Sequence, residues 1–278
     1  WPSNDPVQPD ILGEIIKYSI PAFKYTGTQD GEDDPYYMTL HKLWTKMSES
    51  DWRTVTKSLY ILHTIMRDCQ VDACAKFSAA VRDMSKTYNP KNPEHKYFSV
   101  STVASQLADT SSSGSSSDAS HQSFVTAYMQ YVVYRTKFLP ARFESIKRMS
   151  TTATTEKKAL AALKKLQQAI TFGLEVEVSD KEDANAITGY VAKQVANDLR
   201  ELYVLLGEKI KPLLVSANGS TGVDVVYSKY TEAQSIHKAD ILKLLQFYQS
   251  TGDKIKVYLE HNAKLYSRLR IKISTDLD

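Results

Sequence analysis

Hydrophobic residues recur at intervals of three and four along almost the whole chain, which is the period of a helix with one buried face. In the segment that follows Asp51 they form one seam of Trp52, Val55, Leu59, Leu62 and Met66. Asp51 is a residue type that caps helix N-termini. The pattern therefore predicts an α-helix that begins after Asp51. No segment shows the alternation of a convincing strand, which favours an all-helical fold.

The same period predicts helices before and after this segment. They are a short helix after Pro9 that ends before Pro21, a helix with the stripe Tyr36, Leu40, Leu43, Trp44 and Met47, a helix with Ala73, Phe77, Val81 and Met84, and the segments FVTAYMQYVVYRTKFLP, EKKALAALKKLQQAI, Asp183 to Leu214, VVYSKYTEAQSIHKADILKLLQFY and KIKVYLEHNAKLYSRL. Helices joined by short connections pack against their neighbours in sequence. We therefore expect a solenoid-like helical stack.

The stretch DTSSSGSSSDAS is polar and of low complexity, which is typical of a surface loop. It divides the chain into an N-terminal part (1–109), a flexible Ser-rich loop (110–120) and C-terminal helices (121–278). Neither part has enough apolar faces to bury a core alone. We therefore expect one domain over residues 1–278.

Composition and motifs exclude several classes of function. The 35 Lys and Arg residues nearly balance the 32 Asp and Glu residues, and a net charge of +3 argues against a nucleic-acid partner. No catalytic, cofactor or metal-binding motif is present, so we expect neither an enzyme, a cofactor nor a metal.

His63 lies beside the apolar seam, and we expect a half-buried packing role for it. Cys69 and Cys74 are five positions apart on a predicted helix, which disfavours a disulfide and indicates a reducing, cytosolic environment.

The basic residues are more informative than the net charge. Arg53 and Lys57 flank the apolar seam one helical turn apart, and Lys42 and Lys46 repeat that spacing on the preceding predicted helix. Four cations cluster if these two helices are antiparallel; the alternative is an ordinary solvated face.

The stretch KKALAALKKL is open to two interpretations as well. It is a membrane-surface helix or, as we favour, a bundle helix with a charged outer face.

Two groups of motifs resemble the membrane-binding domains of endocytic adaptors. SNDP at residues 3–6 and the segment WRTVTKSLYILHTIM resemble the ENTH domain of epsin-type adaptors. The residues that match its second motif are Trp52, Arg53, Val55, Lys57 and Leu59, with Ser58 in place of Ala. From about Phe124 to about Glu260, the chain resembles the ANTH domain of CALM-type adaptors. The segments YVVYRTKF, MSTTATTEKKALAALKKLQQAI, ANAITGYVAKQVANDLRELYVLLGEKIKPLL, YSKYTEAQSIHKADILKLLQFY and KIKVYLE follow that family's order and spacing.

This resemblance implies a right-handed α-helical solenoid of roughly eight to ten helices with extended C-terminal helices. It also implies a phosphoinositide-binding domain of a clathrin adaptor in endocytosis or endosomal sorting. Such a protein is cytoplasmic and peripheral on the plasma membrane, on clathrin-coated pits and vesicles, or on endosomal membranes.

The resemblance carries headgroup contact onto Asn4 and Arg53, with Lys57 as a neighbour. We add Lys17, Lys24, Lys42 and Lys46 from their charge alone. The other ENTH contacts lie on helices that precede Ser-Asn-Asp-Pro, which corresponds to sequence ahead of Trp1. The ANTH lipid motif, Lys-Ala-Thr followed by Pro-Lys-x-Lys-His, is not reproduced by IKYSIPAFKY.

Protein partners follow from the same resemblance. The region from about Asp183 to about Tyr266 corresponds to helices that hold a SNARE helix in CALM-type domains, although its apolar residues are also what internal packing requires. Contacts with clathrin and with the adaptor machinery lie in regions outside this chain. The alternative function is a protein-only helical scaffold that binds a SNARE or peptide helix and has a reduced or lost lipid site.

Overall fold

A computed structural model describes residues 3–18, 34–90, 92–111, 116–139, 143, 156–178, 183–217 and 232–277. Within these ranges the chain forms nine α-helices and one short hairpin. The helices are α1 (Pro9–Tyr18), α2 (Pro35–Met47), α3 (Trp52–Asp68), α4 (Val71–Met84), α5 (Val100–Ser111), α6 (Ser116–Phe138), α7 (Glu156–Leu174), α8 (Ala186–Ala217) and α9 (Glu232–Tyr266). The strands are β1 (Tyr88–Asn89) and β2 (Asn92–Lys96), and a 3₁₀ turn (Ser267–Leu269) follows α9.

Most of the described helices pack on a neighbour in sequence, and α4 packs on α2 and α6. α2 lies on α3, α5 on α6, α6 on α7, α7 on α8, and α8 on α9. α3 also contacts α6 and α8, while α1 contacts α3. This arrangement confirms the predicted all-α, solenoid-like fold. α3 therefore links the first helices to α6 and α8.

The predicted start of α3 is confirmed. Asp51 is its N-cap, and the carboxylate accepts a hydrogen bond from the backbone N–H of Thr54 at 3.0 Å. Val55, Leu59 and Met66 are completely buried, as the apolar seam requires. Full burial of one such side chain stabilises the fold by about 1.5–3 kcal/mol.

The buried apolar residues form one continuous core. It contains Trp44 and Phe77 from the N-terminal helices, Tyr128 from α6, and Val195 and Leu259 from the C-terminal helices. Residues from both sides of the Ser-rich stretch therefore share the same core.

The hairpin corrects the expectation that the chain has no strand. Tyr88 pairs with Lys96 and Asn89 pairs with Asn92 in an antiparallel register with one irregularity. The strands escape prediction because they are very short, include a proline and show no alternation of apolar and polar residues. The hairpin leads into Phe98, whose φ of 55° is uncommon for a residue other than glycine.

The loop predicted over residues 110–120 is too long. α5 continues to Ser111 and α6 begins at Ser116, so only 112–115 separate the two helices, and these four residues lie outside the described part. Ser, Asp and Asn favour helix ends over helix interiors, since their side chains bond to nearby backbone groups. The polar composition therefore marked a boundary between two helices.

The last long helix is continuous, although the sequence suggested two segments. α9 spans 35 residues and includes Gly252. A Cβ atom at Gly252 would lie 2.6 Å from the hydroxyl oxygen of Tyr203 on α8. The Tyr203 ring stacks on Tyr248 of α9 at 4.5 Å between centroids. Glycine thus allows a close approach of α8 and α9 around this tyrosine pair.

Candidate functional site

The N-terminal turn lies against α3. Lys57 Nζ donates a hydrogen bond to the hydroxyl of Ser3 at 3.2 Å. Burial lowers the pKa of Lys57, and the positive charge of Arg53 acts in the same direction, whereas Asp5 and Asp51 oppose it. The Ser-Asn-Asp-Pro turn is therefore held beside the residues that the second motif contributes, and Asn4 in that turn is exposed.

Lys57 itself corrects an expectation. The sequence placed it on the flank of the apolar seam as a headgroup contact, but its side chain is only 6% exposed. The N-terminal segment covers this face of α3, and helical periodicity carries no information about that distant segment. Lys57 therefore holds the turn in place and has little surface left for a ligand.

Arg53 is half-exposed and already has one acidic neighbour. Its Nε donates to Asp51 Oδ1 at 2.8 Å, and its guanidinium carbon lies 6.0 Å from the centre of the Trp52 ring. Burial raises the pKa of Asp51, but hydrogen bonds from Thr54 and Arg53 outweigh this and leave the pKa below its ordinary value. The Asp51 carboxylate thus stays charged and partly neutralises Arg53.

The lysines added from charge alone have different environments. Lys17 on α1 and Lys42 on α2 are exposed. Lys46 Nζ forms an ion pair with Glu49 Oε1 at 2.6 Å. Lys24 lies outside the described residues. We call the cations Lys17, Lys42, Lys46 and Arg53, together with the neutral Asn4, the N-terminal basic set.

A second constellation was missed by sequence reasoning and joins α3, α6 and α8. We call His63, Arg67, Tyr128, Tyr131, Arg135 and Asp198 the buried polar cluster. Its centre is the Asp198 carboxylate, where Oδ2 lies 2.7 Å from His63 Nε2 and accepts hydrogen bonds from Tyr131 OH at 2.6 Å and Arg135 Nε at 2.8 Å. Arg67 lies 3.3 Å from the other oxygen. No short-range motif signals this cluster, because its residues come from three separate helices.

The electrostatics of the buried polar cluster favour a neutral histidine beside a charged carboxylate. Burial lowers the pKa of His63 to about 4, even though Asp198 opposes the shift. Burial alone would raise the pKa of Asp198, but Arg135 and His63 hold it below its usual range. In this protonation state, His63 Nε2 donates to Asp198 and Nδ1 accepts from Tyr128 OH, which lies 3.1 Å away.

The buried polar cluster has a structural role. His63, predicted to be half-buried, is fully buried, as are Tyr128 and Tyr131. Asp198 is fully buried as well, and Arg135 is 1% exposed. These five buried side chains connect α3, α6 and α8, so the arrangement holds three helices together.

The C-terminal helices use most of their described apolar residues for internal packing. Val191, Val195 and Leu199 of α8 are completely buried. Among the described side chains of α8 and α9, the large hydrophobic residues that are exposed are Tyr190 (40%), Val204 (42%), Leu242 (48%) and Val257 (66%).

α7, which contains KKALAALKKL, is a bundle helix. Its Leu163 and Ile170 are buried in the core, and Lys164 forms an ion pair with Asp240 of α9 at 3.1 Å. The apolar face of α7 is therefore covered by other helices, which corrects the alternative of a membrane-surface helix.

Comparison with models of known protein families gave no match, and comparison with curated proteins gave none either. Among the described residues, no three His, Cys, Asp or Glu side chains are grouped to hold a metal ion. None of the described helices combines the length and the apolar content that a bilayer crossing requires.

Proposed function

We propose that this chain is a phosphoinositide-dependent membrane-binding domain of a clathrin-associated adaptor in endocytosis or vesicle trafficking. The observation that carries the proposal is the contact between Lys57 and Ser3, since it brings the Ser-Asn-Asp-Pro turn against the helix that contains Arg53. These are the two sequence motifs that resemble the ENTH domain. The two motifs are in contact although more than fifty positions separate Ser3 from Lys57 in sequence. A shared site explains this contact better than two chance matches do.

The N-terminal basic set suits a phosphorylated inositol. The Nε of Arg53 is occupied by Asp51, while its two terminal nitrogens make no hydrogen bond within the described structure. A guanidinium binds phosphate oxygens in a two-pronged geometry, and the exposed amide of Asn4 adds donors. Lys17 and Lys42 supply further charge. Each basic residue near an anionic membrane contributes about 1 kcal/mol, so a few of them give reversible binding.

Vesicle sedimentation tests the proposal. Phosphatidylcholine vesicles that contain one phosphoinositide at a time are compared with vesicles that contain phosphatidylserine at equal charge. We expect preferential pelleting with at least one phosphoinositide and loss of that preference in Arg53→Glu. Lys256→Glu on α9 makes a similar charge change at an exposed site far along the chain and serves as the control. Equal binding by both variants would contradict the proposal.

The alternative is a protein-only scaffold for a SNARE or peptide helix. The exposed Val204, Leu242 and Val257 favour it, because an amphipathic helix binds through such apolar anchors. Fluorescence anisotropy with a labelled SNARE peptide, in the absence of lipid, separates the two functions. Peptide binding that weakens in Leu242→Ser and does not depend on vesicles would support the scaffold.

A further inference from the structure

An open cavity of about 440 Å³ lies between the hairpin, the first turn of α5 and the last turn of α6. Its wall includes two lysines and a histidine from different elements, together with several hydroxyl groups. The lining residues used below are Tyr88, His95, Lys96, Ser101 and Lys137, and Glu94 is the single acid among the described residues of the wall. No member of the N-terminal basic set lines this cavity.

Lys137 is the most informative residue of the wall. It is half-buried in the last turn of α6, and within the described structure its ammonium group makes no hydrogen bond or ion pair. Burial lowers the pKa of Lys137, and no acid among the described residues offsets this shift. Arg82 donates to the Lys137 carbonyl at 2.9 Å, so this helix end already has a cation. The ammonium is thus partly desolvated and has no counter-charge among the described residues, an arrangement that a bound anion would stabilise.

Two nitrogen groups from β2 join Lys137. Lys96 Nζ lies 5.1 Å from the centre of the Tyr88 ring, a cation–π contact that positions the charge without neutralising it. His95 Nδ1 lies 3.0 Å from the hydroxyl oxygen of Thr102, which orients the imidazole and leaves Nε2 for another partner. The hydroxyl of Ser101 is 2.9 Å from that of Ser99 at the same wall.

We propose that this cavity binds a phosphomonoester group, either on a soluble molecule or on a lipid headgroup, through Lys96, Lys137 and His95. Ammonium groups with nearby hydroxyl donors form strong, charge-assisted hydrogen bonds with phosphate oxygens. The volume falls within the range of small-molecule sites. This site is separate from the N-terminal basic set, so it does not depend on the function proposed above.

Calorimetric titration with inositol 1,4,5-trisphosphate tests the site on the 278-residue chain. We expect binding, and a loss of affinity of about tenfold in Lys137→Gln and again in Lys96→Gln, since each change removes a charged hydrogen-bond donor. Lys137→Arg keeps the charge and should keep most of the affinity. Lys86→Gln is the matched control, because Lys86 is exposed and pairs with Asp83 nearby. Thermal unfolding shows that each variant is folded.

Vesicles distinguish the two sources of the phosphate group. Pelleting that falls in Lys96→Gln/Lys137→Gln points to a lipid headgroup, whereas loss of trisphosphate binding with unchanged pelleting points to a soluble ligand. If Arg53→Glu still binds trisphosphate, that binding does not require Arg53, which supports this cavity. This holds even if Arg53→Glu pellets normally. No binding of trisphosphate to the unchanged protein, with pelleting equal in the double variant, overturns the inference. Trisphosphate binding and pelleting that are both unaffected by the double variant overturn it as well.

Discussion

His63 Nε2 on α3 lies 2.7 Å from Asp198 Oδ2 on α8, although 135 positions separate the two residues in sequence. The same oxygen accepts hydrogen bonds from Tyr131 and Arg135 of α6. One buried carboxylate on α8 therefore satisfies donors from two other helices, α3 and α6. Such a group is difficult to replace, because its loss would leave the buried polar atoms of its partners without a hydrogen-bond acceptor.

Asp198→Asn should lower the free energy of unfolding by about 3–5 kcal/mol, since it removes the counter-charge of buried Arg135. Urea unfolding measures the change. Asp240→Asn breaks the Lys164–Asp240 ion pair, in which the lysine side chain is 53% exposed, and should cost less than about 1 kcal/mol. A loss of similar size in both variants would argue against a stabilising role for the buried polar cluster.

Acid should weaken the fold through His63. Its pKa is about 4 in the folded protein against an ordinary value of 6.5, so the unfolded chain binds more protons between these values. The stability that His63 contributes is therefore complete above pH 6.5 and decreases as the pH falls towards 4. The expected loss between pH 7 and pH 5 is about 2 kcal/mol.

Urea unfolding at several pH values checks this prediction, with His63→Gln as the comparison. The variant cannot take up the proton, so its unfolding free energy should change less between pH 7 and pH 5. Identical pH profiles for the two proteins would rule out His63 as the titrating group.

Asp51→Ala should have opposite effects on stability and on membrane binding. Loss of the N-cap of α3 lowers the unfolding free energy by about 1 kcal/mol. Loss of the carboxylate also removes the partner of Arg53 Nε and should strengthen pelleting with phosphoinositide vesicles. Asp34→Ala removes the N-cap of α2, where the side chain bonds to Tyr36 N–H, and makes the same charge change. Stronger pelleting in both variants would indicate an effect of net charge alone.

Lys57→Met should release the N-terminal turn from α3. Methionine keeps an unbranched apolar side chain in the buried position but cannot donate to Ser3. Hydrogen–deuterium exchange of the amides in residues 3–8 should become faster. Lys46→Met, which breaks the Lys46–Glu49 pair, is the control and should leave these amides unchanged. Unchanged exchange in Lys57→Met would show that other contacts hold the turn.

Two glycines should respond in opposite directions to alanine. At Gly189 on α8, a Cβ atom would lie 2.8 Å from Tyr266 Cδ1 and would also overlap Ile271, so Gly189→Ala should destabilise by about 1–3 kcal/mol. At Gly13 on α1, nothing lies within 4 Å of an added Cβ. Gly13→Ala should stabilise the helix by about 0.5–1 kcal/mol. Differential scanning calorimetry separates the two outcomes.

The period of apolar residues and the cap at Asp51 were enough to predict α3, because both signals lie within one helix. The burial of Lys57 and the role of Asp198 were not predictable in this way, since each depends on a segment distant in sequence. The hairpin was not predicted for another reason. Its strands are too short and too polar for alternation to show, and the cavity beside it was therefore missed as well.

The position of Asp198 late in the chain has a consequence for synthesis on the ribosome. The first six helices include His63, Tyr131 and Arg135, but their shared acceptor arrives only with α8. Until then, His63 and Arg135, which are buried in the final fold, lack the Asp198 carboxylate as a hydrogen-bond acceptor. This lack disfavours the packing of α3 against α6. The N-terminal helices should therefore stay open to chaperones and proteases until most of the chain has emerged, and the fold should close in one late step.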